Sequence, residues 1–185
     1  MEREIVFTGI GGQGIQLMAK VLAQAAVDAG RHAMLFGLYG GAMRGGPSES
    51  TVVIGDAPIE APPIVPACWS IVAMHPSALP ALLAKLRPGG LLFANETLVD
   101  VALDGRAVVP VPATRLAEEG GNVMGAGMVM LGAFVAHTAV VPLEGVVAAM
   151  RAALPPHRTR MADANAALLA RGAERVRTAR HAGAA

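Results

Sequence analysis

Thiolate ligands are almost missing from this sequence: a single cysteine, Cys68, stands among 185 residues. No disulfide can close within the chain. A Cys-ligated zinc or iron–sulfur site takes about four thiolates, so this chain cannot build one alone. The five histidines (His32, His75, His137, His157 and His181) are scattered, and no two stand four apart as they would on one helix face. No metal site is therefore expected. A surplus of one charge is also absent: 15 Lys and Arg face 14 Asp and Glu, for a formal net charge of +1. A general nucleic-acid binder carries a basic excess, so that class is excluded. Long apolar runs are missing too. The longest spans residues 123–136 and is broken by Gly125, Gly127 and Gly132. A bilayer takes roughly 20 apolar residues, so this run reads as a buried core helix whose glycines admit another backbone. No membrane segment is expected. The opening Met1-Glu2-Arg3-Glu4 carries both charges and leads into a short strand, unlike a signal peptide. The expected location is the cytoplasm.

What is present in excess is apolar: 54% of residues, against 16% charged. Usual values are about 45–50% and roughly 25%. That excess argues against disorder. It also leaves few charges for the outside, so part of the surface is expected to lie against another chain. The length fits one domain over residues 1–185, with a flexible tail after about residue 180.

The patterning alternates strands with helices. Residues 4–8 read as a strand, 15–29 as a helix with Ile15, Met18, Leu22, Ala25, Ala26 and Ala29 at helical spacing, and 32–36 as a second strand. Strands are expected again at 50–54, 69–74, 91–94 and 106–111, the last an edge strand because of Pro110 and Pro112. Helices are expected at 77–86, 124–136, 142–150 and 161–180, with residues 87–90 closing the first of these and 116–121 only connecting. The last helix carries a basic face of Arg160, Arg171, Arg175, Arg177 and Arg180, the usual look of a solvated surface. The pattern implies an α/β fold: a single three-layer α/β/α domain with a mostly parallel central sheet and a Rossmann-like opening βαβ unit.

Two glycine-rich stretches carry the chemistry. Gly9-Ile10-Gly11-Gly12-Gln13-Gly14 has the spacing G-x-G-x-x-G and sits between a strand and a helix. Unpaired N–H groups at the helix start favour an anion, and glycines let a phosphate or carboxylate approach. A dinucleotide site also needs an acidic residue about 20 positions on. Phe36 and Gly37 occupy that place, and Asp28 falls too early, inside the helix. Three readings stay open for this loop: a structural turn or protein contact, an anion site, and a dinucleotide site. Gln13 is expected to bond backbone within its own turn.

The second stretch is Tyr39-Gly40-Gly41-Ala42-Met43-Arg44-Gly45-Gly46. Flanking glycines leave the Arg44 fork free to meet a carboxylate or phosphate, or a partner's acid. Asn95 and Glu96 follow a strand end, where ligand groups collect in open α/β sheets. Cys68 is expected to be a small buried hydrophobe, and His75 a strand-end cap.

Together, Gly11-Gly12-Gln13-Gly14 and Tyr39 to Gly46 resemble the gamma-subunit family of 2-oxoacid:ferredoxin oxidoreductases, which act on pyruvate, 2-oxoglutarate, 2-oxoisovalerate or indolepyruvate. Further likeness lies in Ile71-Val72-Ala73-Met74, in Leu86-Arg87-Pro88-Gly89-Gly90-Leu91-Leu92, in Met130-Leu131-Gly132-Ala133 and in Asn165-Ala166-Ala167-Leu168. The chain departs from the family in three places. Ala42 replaces the usual Glu of the second loop, Cys68-Trp69 stands where an acid commonly precedes the Val-Ala-Met strand, and Gly127 replaces an Asn.

The resemblance implies a non-catalytic gamma subunit, inactive when isolated. It would contact alpha and beta, and in some complexes delta, subunits that carry thiamine diphosphate, Mg²⁺ and iron–sulfur clusters. Ferredoxin or another acceptor takes the electrons. The chain itself would hold no cofactor, with CoA possible at the loop of Gly9, Gly11, Gly12, Gln13, Gly14, Tyr39, Arg44, Gly45 and Gly46, or with that loop as a subunit contact. No Gly-Asp-Gly thiamine motif is visible in the sequence. The alternatives are a free-standing CoA- or nucleotide-binding α/β module and a homo-oligomeric structural protein.

Overall fold

The computed structural model describes residues 1–39, 46–60, 64–100, 107–155, 157 and 159–182. The first strand, β1 (Arg3–Ile10), shows how the core is laid out. Successive side chains of a strand point to opposite faces, and here both faces are dry. Ile5 and Phe7 enter one core while Val6 enters the other. A strand buried on both sides reads as a continuous apolar run, and it occupies the centre of the sheet.

The remaining strands are β2 (His32–Tyr39), β3 (Pro47–Gly55), β4 (Cys68–Ala73), β5 (Leu86–Asn95) and β6 (Ala107–Val111), arranged in the order β2-β3-β1-β4-β5-β6. β4 pairs parallel with β1, β5 with β4, and β6 with β5. β3 is antiparallel to both β1 and β2. All strands but β3 therefore run the same way, and the sheet is mostly parallel. The opening strand–helix–strand unit is present but split, because β3 lies between β1 and β2 and takes the hydrogen bonds of both.

The helices are α1 (Ile15–Asp28), α2 (Leu79–Leu83), α3 (Ala113–Glu119), α4 (Ala126–Thr138), α5 (Leu143–Ala153) and α6 (Thr159–Ala182). All but α2 contribute buried residues to the core that holds Ile5 and Phe7. The opposite face is covered thinly, by Leu79 and Leu82 of α2 and by Val65 and Val99 from connecting segments. The two helical layers are thus unequal.

α4 holds the run that looked long enough to raise the question of a membrane. Ten consecutive residues, from Ala126 to Val135, are buried on every side of this helix. Phe134 takes the edges or faces of Phe7, Trp69 and Phe93, at ring-centre separations of 6.3, 6.2 and 5.1 Å. Four of the six aromatic side chains of this chain thus gather at one point, and each edge-to-face pair adds about 0.5–1.5 kcal/mol. No helix among the described residues is long and apolar enough to cross a membrane.

Three sequence expectations change. The helix expected over 77–86 is a 3-10 turn (Pro76–Ala78) followed by the single short turn of α2. Residues 87–90 do not close it; they already belong to β5, which starts at Leu86 beside Cys68 and shifts register before Leu91. Gly89 permits this with φ +73, and a Cβ at Gly90 would come within 2.9 Å of the Trp69 carbonyl. Residues 116–121 are not merely connecting, since α3 starts at Ala113 and runs to Glu119 with Ala113 and Ala117 buried.

Candidate functional site

Five strands end at one rim of the sheet, and β3 begins there. In an open α/β sheet this carboxyl rim is where ligands and partners collect. β1 delivers Gly9 to it. A Cβ on Gly9 would meet Gln13 Oε1 at 2.5 Å and Ile15 Cδ1 at 2.8 Å, so a side chain here would push Gln13 and Ile15 out of their present places. Gln13 folds back into that space. The Ile10 N–H donates to Gln13 Oε1 at 3.0 Å, and the Gln13 N–H donates to the Ile10 carbonyl at 3.2 Å. Gly12 (φ +99) and Gly14 (φ +76) turn the chain through the left-handed region, where L side chains are strained. The turn is thus built from within, as its residue types suggest.

Gln13 also reaches outward. Its Nε2 donates to the Met74 carbonyl at 3.3 Å, past the end of β4. Asn95, at the end of β5, donates to the same carbonyl at 3.3 Å. Asn95 Nδ2 also reaches Thr114 Oγ1 at 2.9 Å, and the Thr114 N–H donates to Asn95 Oδ1 at 3.2 Å. Asn95 is fully buried. Its side chain therefore ties three elements together at this rim. Glu96 differs: its backbone N–H donates to Val111 at 3.0 Å while its side chain is exposed.

The two glycine motifs meet here. The Gly11 N–H donates to the Gly46 carbonyl at 2.9 Å. Gln16, on the first turn of α1, fastens the same corner to β3. It donates to the Glu49 carbonyl at 3.1 Å and accepts from Ser50 Oγ at 2.6 Å. Residues 40–45, including Arg44 and Gly45, lie outside the described residues, as does the side chain of Tyr39, whose backbone pairs with Ser48.

The outer side of the first loop is open. Gly11 and Gly12 are exposed, and α1 follows Gly14 as its N-cap, with no side-chain cap and no acid in its first turn. Apolar side chains stand exposed at the same rim: Met124 at 70%, Val123 at 51% and Leu98 at 44%. The Met124 methyl lies 4.0 Å from where a Gly12 Cβ would be. The dinucleotide reading loses its geometry, because β3 stands between β1 and β2 and a loop N–H is already spent on Gly46.

Sequence reasoning missed Thr114, Gln16 and Met124. Thr114 lies in the unforeseen α3, and nothing in the sequence pairs it with Asn95. Thr8 was missed as well. It is fully buried near this rim, and its hydroxyl has no hydrogen-bond partner among the described residues.

The opposite rim holds Cys68, fully buried at the start of β4. Burial, and then the nearby Glu4 carboxylate, push its thiol from the ordinary 9.0 up to about 11. It behaves as a small hydrophobe. His75 caps the 3-10 turn, its Nδ1 accepting from the Ser77 N–H at 3.2 Å. Among the described residues no three His, Cys, Asp or Glu gather as a metal ligand set.

Sheet order, the glycine turn and the bonded strand ends define an α/β domain whose two glycine motifs share one rim. The chain belongs to the pyruvate ferredoxin/flavodoxin oxidoreductase family, which it matches over residues 4–175, and within it to the gamma-type subunits of 2-oxoacid:ferredoxin oxidoreductases. It is 36% identical over 165 residues to the 2-oxoglutarate synthase subunit KorC of Methanothermobacter marburgensis, covering 84% of this chain and 88% of that one. The crystal structure of the keto/oxoacid ferredoxin oxidoreductase gamma subunit from Geobacter sulfurreducens superposes with a TM-score of 0.83 at 29% identity, covering 96% of this chain and 98% of the other. The same fold recurs at 18% identity in the 2-oxoglutarate:ferredoxin oxidoreductase of Magnetococcus marinus, solved with 2-oxoglutarate, coenzyme A and succinyl-CoA. There the TM-score is 0.85, and the likeness covers 96% of this chain but 31% of that one.

Proposed function

We propose that this chain is the non-catalytic gamma subunit of a cytoplasmic 2-oxoacid:ferredoxin oxidoreductase that depends on thiamine diphosphate and iron–sulfur clusters. It covers the alpha and beta subunits, with delta where present, and shapes the entrance for substrate and CoA. Those partners hold the thiamine diphosphate, its Mg²⁺ and the clusters. They decarboxylate the 2-oxoacid, pass electrons to ferredoxin and release an acyl-CoA.

The observation that carries this reading is the carboxyl rim. There the Gly11–Gly46 bond joins both glycine motifs beside the exposed Met124, Val123 and Leu98. Exposed apolar residues beside a rigid polar turn are what a partner subunit can cover. The open face of Gly11 and Gly12, next to the uncapped start of α1, suits the phosphates of CoA at the edge of that contact.

Tagged chain purified from its own cell tests the reading. It brings down polypeptides that contain thiamine diphosphate and iron; recovery of the chain without any thiamine-dependent partner would remove the basis of the proposal. Calorimetry on the chain alone separates the free-standing module from the subunit. Micromolar CoA or dinucleotide affinity without a partner would favour the module.

A further inference from the structure

The amino rim of the sheet, opposite the glycine loops, carries a second polar constellation. A cavity of about 300 Å³ opens there, lined by Met1, Arg3, Arg31, Asp56, Trp69, Thr138, Ala139 and Val140. That is at the small end of ligand sites, which run from about 300 to 1,000 Å³.

Its arginines are held in place. The Arg3 guanidinium lies 4.5 Å from the centre of the Trp69 ring. Trp69 in turn packs edge-to-face on Phe134, which is fully buried. A surface arginine usually loses rotamer freedom when it binds; this one is already stacked, so binding costs less. No hydrogen-bond acceptor for Arg3 is found among the described residues. Arg31 is fixed by two bonds, from Nη1 to the Val140 carbonyl at 2.9 Å and from Nη2 to Asp56 Oδ1 at 2.7 Å. A guanidinium has five donors, so three remain.

The charge balance is positive. Asp56 is the one acid in the lining, and it is shared between Arg31 and the Met1 ammonium, which contacts Oδ2 at 3.0 Å. Those two cations together hold the Asp56 carboxyl below its usual range. Arg3 is left over. The rim is shaped by Ala139, whose φ of +50 makes it the one non-glycine residue in the left-handed region among the described residues. It ends α4 and turns the Val140 carbonyl toward Arg31.

We propose that this cavity is a binding site for a small dianion bearing carboxylate or phosphate groups, taken up by the stacked Arg3 fork with the spare donors of Arg31. Guanidinium forks pair with the oxygens of carboxylate and phosphate groups, and Arg3 has no ion-pair partner among the described residues. The site is separate from the glycine rim and does not depend on the subunit reading.

Trp69 is the sole tryptophan, so its fluorescence reports on this cavity alone. The full chain is titrated at pH 7.5 with inorganic phosphate and, separately, with malonate, at ionic strength held constant with sodium chloride. A saturable change in Trp69 emission is expected with at least one of them, and which one names the chemistry. Half-saturation is expected to weaken about tenfold or more in Arg3→Gln and to weaken also in Arg3→Lys, which keeps the charge but loses the fork. Matching thermal midpoints verify that both variants fold. No saturable change with either anion, or the same titration in Arg3→Gln, would overturn the proposal.

Discussion

Gln13 and Asn95 donate to one acceptor: the Met74 carbonyl takes an amide N–H from each, both at 3.3 Å. One comes from the glycine turn after β1 and the other from the end of β5, so a single carbonyl locks the rim across β4. The Asn95 side chain is the more committed of the two, because its oxygen also serves the Thr114 N–H. Asn95→Ala leaves that part-buried N–H without its side-chain partner. The expected cost is about 1–3 kcal/mol, the range for a buried group left unpaired. Urea denaturation of the two proteins side by side measures it.

α4 and α6 cross at paired glycines. A Cβ at Gly132 would fall on the Leu169 carbonyl of α6, and one at Gly172 on the Val129 carbonyl of α4. In both cases the obstacle is backbone, which cannot rotate away. Gly132→Ala and Gly172→Ala are each expected to destabilise by about 1–3 kcal/mol or more, the range for overpacking a filled core. Thermal unfolding midpoints compare them with Gly145→Ala, where a Cβ meets nothing within 4 Å.

Ala139 sits in the left-handed region at the end of α4, where glycine is the usual residue. The strain on an L side chain there is about 1–2 kcal/mol. Replacing alanine by glycine loosens the unfolded chain at a cost of about 0.4–1 kcal/mol. Ala139→Gly is therefore expected to stabilise by about 0.5–1 kcal/mol, read as a higher urea midpoint.

Cys68 makes stability fall in alkali. Its thiol is raised from 9.0 to about 11 in the folded protein. The native state thus keeps a proton that the unfolded chain gives up. The stabilisation is complete below the unfolded value near 9 and is lost as pH rises toward 11, at up to about 1.4 kcal/mol per pH unit. Urea midpoints between pH 8 and 11 show the decline in the wild type, and a shallower one in Cys68→Ala. The same buried thiol is expected to react slowly with a thiol reagent at pH 8 until the protein is unfolded.

Arg44, flanked by glycines in the second loop, is expected to matter to assembly or to CoA turnover. Arg44→Ala should weaken one of these by about 1–3 kcal/mol, the effect of losing a charged hydrogen-bond partner. Partner titration and CoA-dependent rates on the assembled enzyme read the two arms. No change in either would reduce the loop to a turn.

Much of the fold was legible because apolar runs are unambiguous when buried on every side. β1 and α4 showed as such, and α1 showed by its helical spacing. What failed was short or non-local. α3 offers only Ala113, Leu116 and Ala117 as apolar residues between Pro112 and Gly120, too few to set a period. Arg87-Pro88-Gly89-Gly90 has turn composition, yet β5 runs through it because an irregularity uses the left-handed Gly89 beside the Trp69 backbone. The insertion of β3 between β1 and β2 was invisible, since a strand's own alternation does not name its neighbours. At the rim, the self-bonding of Gln13 was readable from its place in the turn. The Asn95–Thr114 pair was not, because it joins residues 19 apart through a helix the sequence did not announce.

In the proposed function the redox chemistry belongs to other subunits, and this chain gives it shape and contact. Cofactor content and turnover, measured on the tagged complex and on the solitary chain, test it most directly. Thiamine diphosphate, iron and 2-oxoacid-dependent dye reduction are expected in the complex, and none of the three in the chain by itself. A solitary chain that oxidises a 2-oxoacid, or that carries a stoichiometric prosthetic group, would contradict it.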